Sequence, residues 1–289
     1  MKSSIRVRAA LLSALMLILL IGAWQAATLP DPRAAAAALT PEQVEYATLM
    51  GHPPGNAAAP AKNNGFPTPR QFASVATQAL AHPFYDHGPN DKGIGIQLAR
   101  SLLRVLAGYL LAACVAIPVG FVIGASPLLH RALDPFIQVL KPISPLAWMP
   151  IALYTIKDSS ISAIFVIFVC SLWPMLINTA FGVANVRKDW LNVARTLEVR
   201  PLRKALQIVL PAAAPTIVTG MRISMGIAWL VIVAAEMLVG STGIGYFVWN
   251  EWNNLSLSHV IFAVLMIGMV GMLLDLIFAH IQKKVTYAE

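Results

Sequence analysis

Charge is what this chain lacks most. Of its 289 residues only 12% are Asp, Glu, Lys or Arg and 57% are hydrophobic, with a mean hydropathy of +0.68. A soluble globular domain carries about one-quarter charged residues. The apolar residues fall in runs of about 20, enough helix to cross a bilayer core of roughly 30 Å. A soluble domain is thereby excluded and an all-α, polytopic membrane protein is predicted. Cysteine is nearly absent too. Cys114 and Cys170 both lie inside apolar runs, so they read as small hydrophobes in helix packing, with no disulfide or metal site expected. The chain has no Gly-x-x-x-x-Gly-Lys phosphate loop and no cluster of catalytic groups. It is therefore not expected to be an enzyme, to hydrolyse ATP or to hold a cofactor. The net charge of +8 does not point to nucleic acid, because the basic residues gather in short segments beside the apolar runs, where membrane topology is encoded.

The order of runs predicts three regions. Residues 1–28 hold MKSSIRVR and an apolar stretch from Ala9 to about Ala27, either a first span or a cleaved signal peptide. Residues 29–97 are rich in Ala, Pro and Gly, too polar to span and too broken for a solid domain. They read as an irregular segment with short surface helices such as Pro41 to Leu49 and Pro69 to Leu80. Residues 98–285 carry five further spans: about Leu98 to Ile123, Pro135 to Ile156, Ser160 to Val183, Pro215 to Leu238 and His259 to Ile281. The second of these contains Pro135, Pro142, Pro145 and Pro150, so it must be kinked or interrupted. With the N-terminus inside, the inner segments hold nearly all the flanking Lys and Arg, including Lys283 and Lys284. Both termini are thus expected on the cytoplasmic side and residues 29–97 in the periplasm.

The most informative stretch is the charged segment 187–205, DWLNVARTLEVRPLRKALQIVLP from Asp189 to Pro211. Six Lys or Arg fall between Arg187 and Lys204. Asp189 is expected to cap a short helix that presents Trp190, Ala194 and Leu197 along one side, with Pro201 as its stop. Such a segment lies on lipid headgroups or serves as a handle for a cytoplasmic partner.

Ala194, Leu197, the basic stretch and Val209-Leu210-Pro211 resemble the cytoplasmic coupling loop of ABC importer permeases. SLLRVLAGYLLA, IPVGFVIGAS, LDPFIQVLKPISPLAWMPIAL and AAEMLVGSTGIGYFVWNEWNNLSLSHVIFAVLMIG resemble, in that order, the permeases for nitrate, bicarbonate, cyanate, taurine and alkanesulfonates, the nitrate branch most. The likeness covers roughly residues 95 to 285. It implies a type I importer fold of about six spans per protomer in a bacterial inner membrane. It also implies a second copy of the chain, two cytoplasmic ATP-binding subunits that hold ATP and Mg, a periplasmic or lipid-anchored anion-binding protein, and surrounding membrane lipid. The coupling residues it implies are Asp189, Trp190, Ala194, Arg195, Leu197, Glu198 and Arg200. Two departures stand out: Asn192-Val193-Ala194 replaces the usual Glu-Ala-Ala, and Glu198 occupies the usual Gly position. They suggest a fit to one dedicated ATPase. The implied activity is ATP-driven import of a small inorganic anion, nitrate or nitrite first, with bicarbonate, cyanate or a sulfonate as alternatives. An ion-coupled secondary transporter is the reading from a different class.

Ionisable groups within spans are costly and mark interiors or pathways. Lys141, Arg222, Glu236 and Asp275 qualify. A guanidinium suits a planar oxyanion, which makes Arg222 a pathway candidate, although it can equally reach the interface or pair with a carboxylate. Trp148 and Met149 in the broken span, together with Trp229 and Glu236, complete the candidate pathway. Glu236 repels anions and suits a buried ion pair better.

Overall fold

The structure, a computed structural model, describes residues 2–28, 66–88, 91–240 and 242–286. The helix expected over Pro41 to Leu49 lies outside the described residues. The chain forms two units, one from Met1–Ala81 with Glu251–Phe262, the other from His82–Asn250 with Ala263–Glu289.

In the first unit, α1 (Lys2–Ala27) contains an apolar stretch, Val7–Ala27, with none of its residues buried in the protomer. Apolar on every side, it suits lipid on every side. Its end is tied to α2 (Pro69–Ala81). Trp24 stacks near Phe66 and Phe72, and its indole N–H donates to the Pro67 carbonyl at 3.0 Å. A reciprocal pair opens α2: the Gln71 amide donates to Thr68 Oγ1 and the Thr68 amide to Gln71 Oε1, a capping box that satisfies two otherwise orphaned donors.

The second unit contains α3 (Ile94–Ala125), α4 (Pro127–Leu140), α5 (Pro145–Ile156), α6 (Ser159–Ala184), α7 (Lys188–Thr196) and α8 (Pro201–Lys204). A π-helical turn, Ala205–Val209, then runs into α9 (Leu210–Val239). Two helices follow that lie partly in each unit, α10 (Ile244–Asn253) and α11 (Leu257–Val285). By length and apolarity α1, α3, α6, the run Pro201–Val239 and α11 can each cross a membrane. The helices α4 and α5 pass the same test together, bent by 88° at a four-residue break, with Pro142 in the break and Pro145 opening α5, whereas Pro135 and Pro150 stay inside their helices.

Close packing follows from small residues. Gly108, Ala112, Ala116, Gly120 and Gly124 recur every fourth position on one face of α3. A Cβ at Gly108 would meet the Ile164 carbonyl at 2.7 Å, and one at Gly120 the Leu176 carbonyl at 2.7 Å. These contacts advance in the same direction along both helices, so α3 and α6 run parallel, joined by close backbone approach. A parallel pair needs a return crossing between them, which identifies α4 and α5 together as one broken span. Helix α9 lies antiparallel to α6: a Cβ at Gly220 would meet Asn178 Cβ at 2.5 Å, whereas one at Gly182 would meet Thr216. Gly226, further along α9, has nothing within 4 Å of a Cβ position and lines a cavity instead.

Three boundaries differ from expectation. The helical run containing Arg222 begins before the expected span start at Pro215, so Arg222 lies about 18 Å along the axis from Leu210 at 1.5 Å per residue. Asp189 does not cap α7. The N-cap is Arg187, with no side-chain cap bond, and Asp189 sits within the first turn, where its charge favours the helix dipole. Pro201 does not stop α7 either, because α7 has already ended at Thr196 and Pro201 opens α8.

Candidate functional site

At one end of the second unit, α7 is fixed by a narrow inner face. Ala194 is buried, and Leu191 packs against the cluster of Val183, Val186 and Val209. Trp190, Val193 and Leu197 point away, 46%, 58% and 70% exposed. The side predicted to carry Trp190, Ala194 and Leu197 together is thus split: Ala194 anchors the helix, while its neighbours form an exposed apolar face. Arg187 stacks over the Trp190 ring at 5.7 Å. Arg195, Glu198 and Arg200 are exposed.

The end of α7 explains one departure noted in the sequence. The Val199 amide donates to the Ala194 carbonyl and the Glu198 amide to the Arg195 carbonyl, both at 3.0 Å. This is the Schellman arrangement, with Glu198 at the left-handed position, φ 46°. Glycine occupies such a position without steric cost. Glu198 therefore does with strain what a glycine does freely, and the turn is kept.

At the opposite end, α9 delivers Glu236, which has no exposed surface. Its carboxylate accepts from Ser101 Oγ at 2.7 and 2.9 Å, from Arg104 Nη1 at 2.8 Å and from the Gly245 amide at 3.1 Å. Gln97 Oε1 accepts from the Gly243 amide at 2.6 Å, and Ser101 Oγ from the Ile244 amide at 2.9 Å. Arg104 also donates to the Thr242 carbonyl and to Ser160 Oγ. The glycine-rich turn after α9 is thus latched by three consecutive amides, two to α3 (Gln97 and Ser101) and the third to Glu236 on α9 itself. The glycines are needed here: Gly240 ends α9 at φ 68°, and a Cβ on Gly243 would enter the Glu236 carboxylate. The buried ion pair expected for Glu236 is present. Its partner Arg104 carries only a faint signal in the sequence: Gln97, Ser101 and Arg104 stand at i, i+4 and i+7, one helical face, with a cation among apolar neighbours.

Arg222 has a different setting. Its Nε and Nη2 donate to the two carboxylate oxygens of Asp275 at 2.7 Å, and its Nη1 donates to Gln282 Oε1 at 3.1 Å. Gln282 in turn donates to Thr219 Oγ1 at 3.0 Å. The pair is half-exposed and lines a cavity of about 620 Å³ between α9 and α11. Further along, the Trp229 indole donates to the Ile267 carbonyl at 3.0 Å. These pairings run in opposite directions, so α11 is antiparallel to α9 and its basic end, Lys283 and Lys284, lies at the α7 end. Trp229 and Met149 are buried, 5% and 1% exposed. Trp148 lines a second cavity, of about 270 Å³, at the α4–α5 break. Arg222 and Trp148 thus border open space, whereas Met149, Trp229 and Glu236 are packed within the protomer. Among the described residues no group of His, Cys, Asp and Glu is arranged to hold a metal.

Comparison with known proteins agrees with this architecture. Residues 116–287 match the family described as binding-protein-dependent transport system inner membrane component. The chain is similar to the nitrate import permease protein NrtB of Synechocystis sp., 44% identical over 228 residues, covering 79% of this chain and 83% of that protein. It is also similar to the bicarbonate transport system permease protein CmpB of the same organism, 47% identical over 207 residues, covering 71% and 74%. An inward-facing structure of the MetNI methionine ABC transporter shares the fold, with TM-score 0.59 and 15% identity over 66% of this chain and 95% of that one. The chain is a multi-pass membrane protein with the type I importer fold, and it belongs to the nitrate and bicarbonate permeases of the binding-protein-dependent ABC transport family.

Proposed function

We propose that this protein is the permease subunit of an ATP-driven importer for a small oxyanion, nitrate in the first instance. The observation that carries the ATP-driven part is the exposed apolar face of α7, Trp190, Val193 and Leu197, held rigidly by Leu191 and Ala194 and flanked by Arg195 and Arg200. An apolar face ringed by charge on a short, well-anchored helix suits protein docking. With the positive-inside rule placing α7, Lys283 and Lys284 in the cytoplasm, its partner is an ATP-binding subunit that holds ATP and Mg. Two copies of the permease and two ATPases make the working unit, and a binding protein delivers the anion from the periplasm. ATP binding draws the α7 helices together and opens the cavity outward; hydrolysis resets it.

The likeness to NrtB and CmpB supports a planar oxyanion and leaves bicarbonate as the second reading, since identity to the two is nearly equal. A secondary transporter needs a carboxylate free to take and release a coupling ion. Glu236 is instead committed to Ser101, Arg104 and the Gly245 amide. The test is Leu197→Asp in the purified complex. Loss of ATPase co-purification and of uptake is expected, and wild-type assembly with wild-type uptake would remove the docking assignment.

A further inference from the structure

The cations beside the interior of the second unit are not equivalent. Arg104 is fully engaged by Glu236, Thr242 and Ser160. Arg222 is held by both oxygens of Asp275, so the cavity it lines is close to neutral. Lys141 differs from both. It follows the last residue of α4, where the chain bends by 88° into α5, and it lines the cavity of about 270 Å³ formed at that bend. Its ammonium has no hydrogen-bond or ion-pair partner among the described residues, and no acidic residue lines this cavity.

The other walls carry donors. Ser144, the residue before α5, makes no side-chain cap bond. Trp148 and Trp173 are half-buried, and their indole N–H groups have no acceptor among the described residues. An indole N–H can only donate. The first turn of α5 also opens here, through Ser144, Pro145 and Trp148, and the positive end of a half-helix adds to the same sign of potential. The remaining lining is apolar, which focuses the field of a single cation. Pro145 and Ile227 line both this cavity and the one containing Arg222, so the two spaces adjoin.

We propose that the cavity at the α4–α5 break is the resting seat of the transported oxyanion, with Lys141 as its counter-charge and Ser144, Trp148 and Trp173 as hydrogen donors. The assignment rests on the transport reading above and sharpens it: the cation available to substrate is Lys141, whereas Arg222 is already neutralised. One point charge with a few neutral donors binds weakly, as a transit site must if the ion is to leave. Arrival therefore depends on Lys141 far more than retention does.

The test uses the whole transporter, permease with its ATP-binding subunits and binding protein, in proteoliposomes. The readout is labelled nitrate moved per ATP hydrolysed. Lys141→Met is expected to assemble and to keep ATPase activity stimulated by the binding protein, while nitrate per ATP falls about tenfold, the scale of enrichment that a focused charge supplies. Lys141→Arg keeps the charge and most of the transport. Wild-type nitrate per ATP in Lys141→Met would overturn the seat and leave the importer reading standing. Failure of the wild type to move any anion with ATP would overturn both. If Lys141→Met does not assemble, Trp148→Phe with Trp173→Phe decides. These changes keep an aromatic ring at each position and remove both donors, so reduced nitrate per ATP supports the seat and unchanged transport refutes it.

Discussion

Glu236 and Arg222 stand on the same helix, and each meets an opposite charge on another span. Glu236 has no exposed surface, and its carboxylate is filled by a serine, an arginine and a backbone amide. Arg222 and Asp275 are half-exposed and border a cavity. The first arrangement is a latch: none of its buried side-chain polar atoms lacks a partner, and removing one strands another in a dry interior. The second is a neutralised charge at the edge of open space, where water can replace either partner. Charge within a span therefore has two meanings here, and hydrogen-bond saturation separates them better than depth does.

The largest expected effect comes from breaking the latch. Glu236→Leu leaves Arg104 buried without its carboxylate, at a cost of about 3–5 kcal/mol. Thermal unfolding of the purified permease should show a large drop or no folded protein. A Tm equal to wild type would mean that Arg104 finds another partner and that the latch is dispensable. Gly243→Ala tests the same latch from the loop side. Its Cβ enters the space of the Glu236 carboxylate, and overpacking of this kind costs about 1–3 kcal/mol, read by the same melt.

The second pair should respond in the opposite way. Arg222→Ala and Asp275→Asn are expected to leave the melting profile close to wild type, since the pair is half-exposed and such pairs add little stability. Their effect belongs in transport. Arg222→Ala weakens anion uptake with the complex intact, and Asp275→Asn, which frees the guanidinium, alters uptake without lowering assembly. A large loss of stability in either variant would erase the contrast with Glu236. The smallest effect is a gain: Glu198→Gly relieves the left-handed strain at the end of α7, raising stability by about 1 kcal/mol, detectable as a modest rise in Tm.

Much of this was legible in the sequence. The run lengths predicted the spans, the prolines predicted the broken one, and the mixed charge from Arg187 to Lys204 marked α7. Glu236 was legible as a buried pair, because a carboxylate deep in an apolar run has few other solutions. Its partner was not, since Arg104 lies 132 positions away and nothing local ties the two. The faces of α7 are not legible for a related reason. Trp190, Ala194 and Leu197 share a helical spacing, but which side is buried depends on Val183, Val186 and Val209, contacts that exist only once α6 and α9 have met. Glu198 carried a local signal that becomes readable when the turn is seen: a non-glycine residue in a left-handed position. The two cavities had no sequence signature beyond the α4–α5 break itself.

The most direct measurement of the central claim is uptake of labelled nitrate and bicarbonate by proteoliposomes containing the permease, its ATP-binding subunits and the binding protein, with and without ATP. The account predicts oxyanion uptake that requires ATP and all three components, nitrate ahead of bicarbonate. Uptake by the permease alone, driven by an ion gradient and indifferent to ATP, would contradict it.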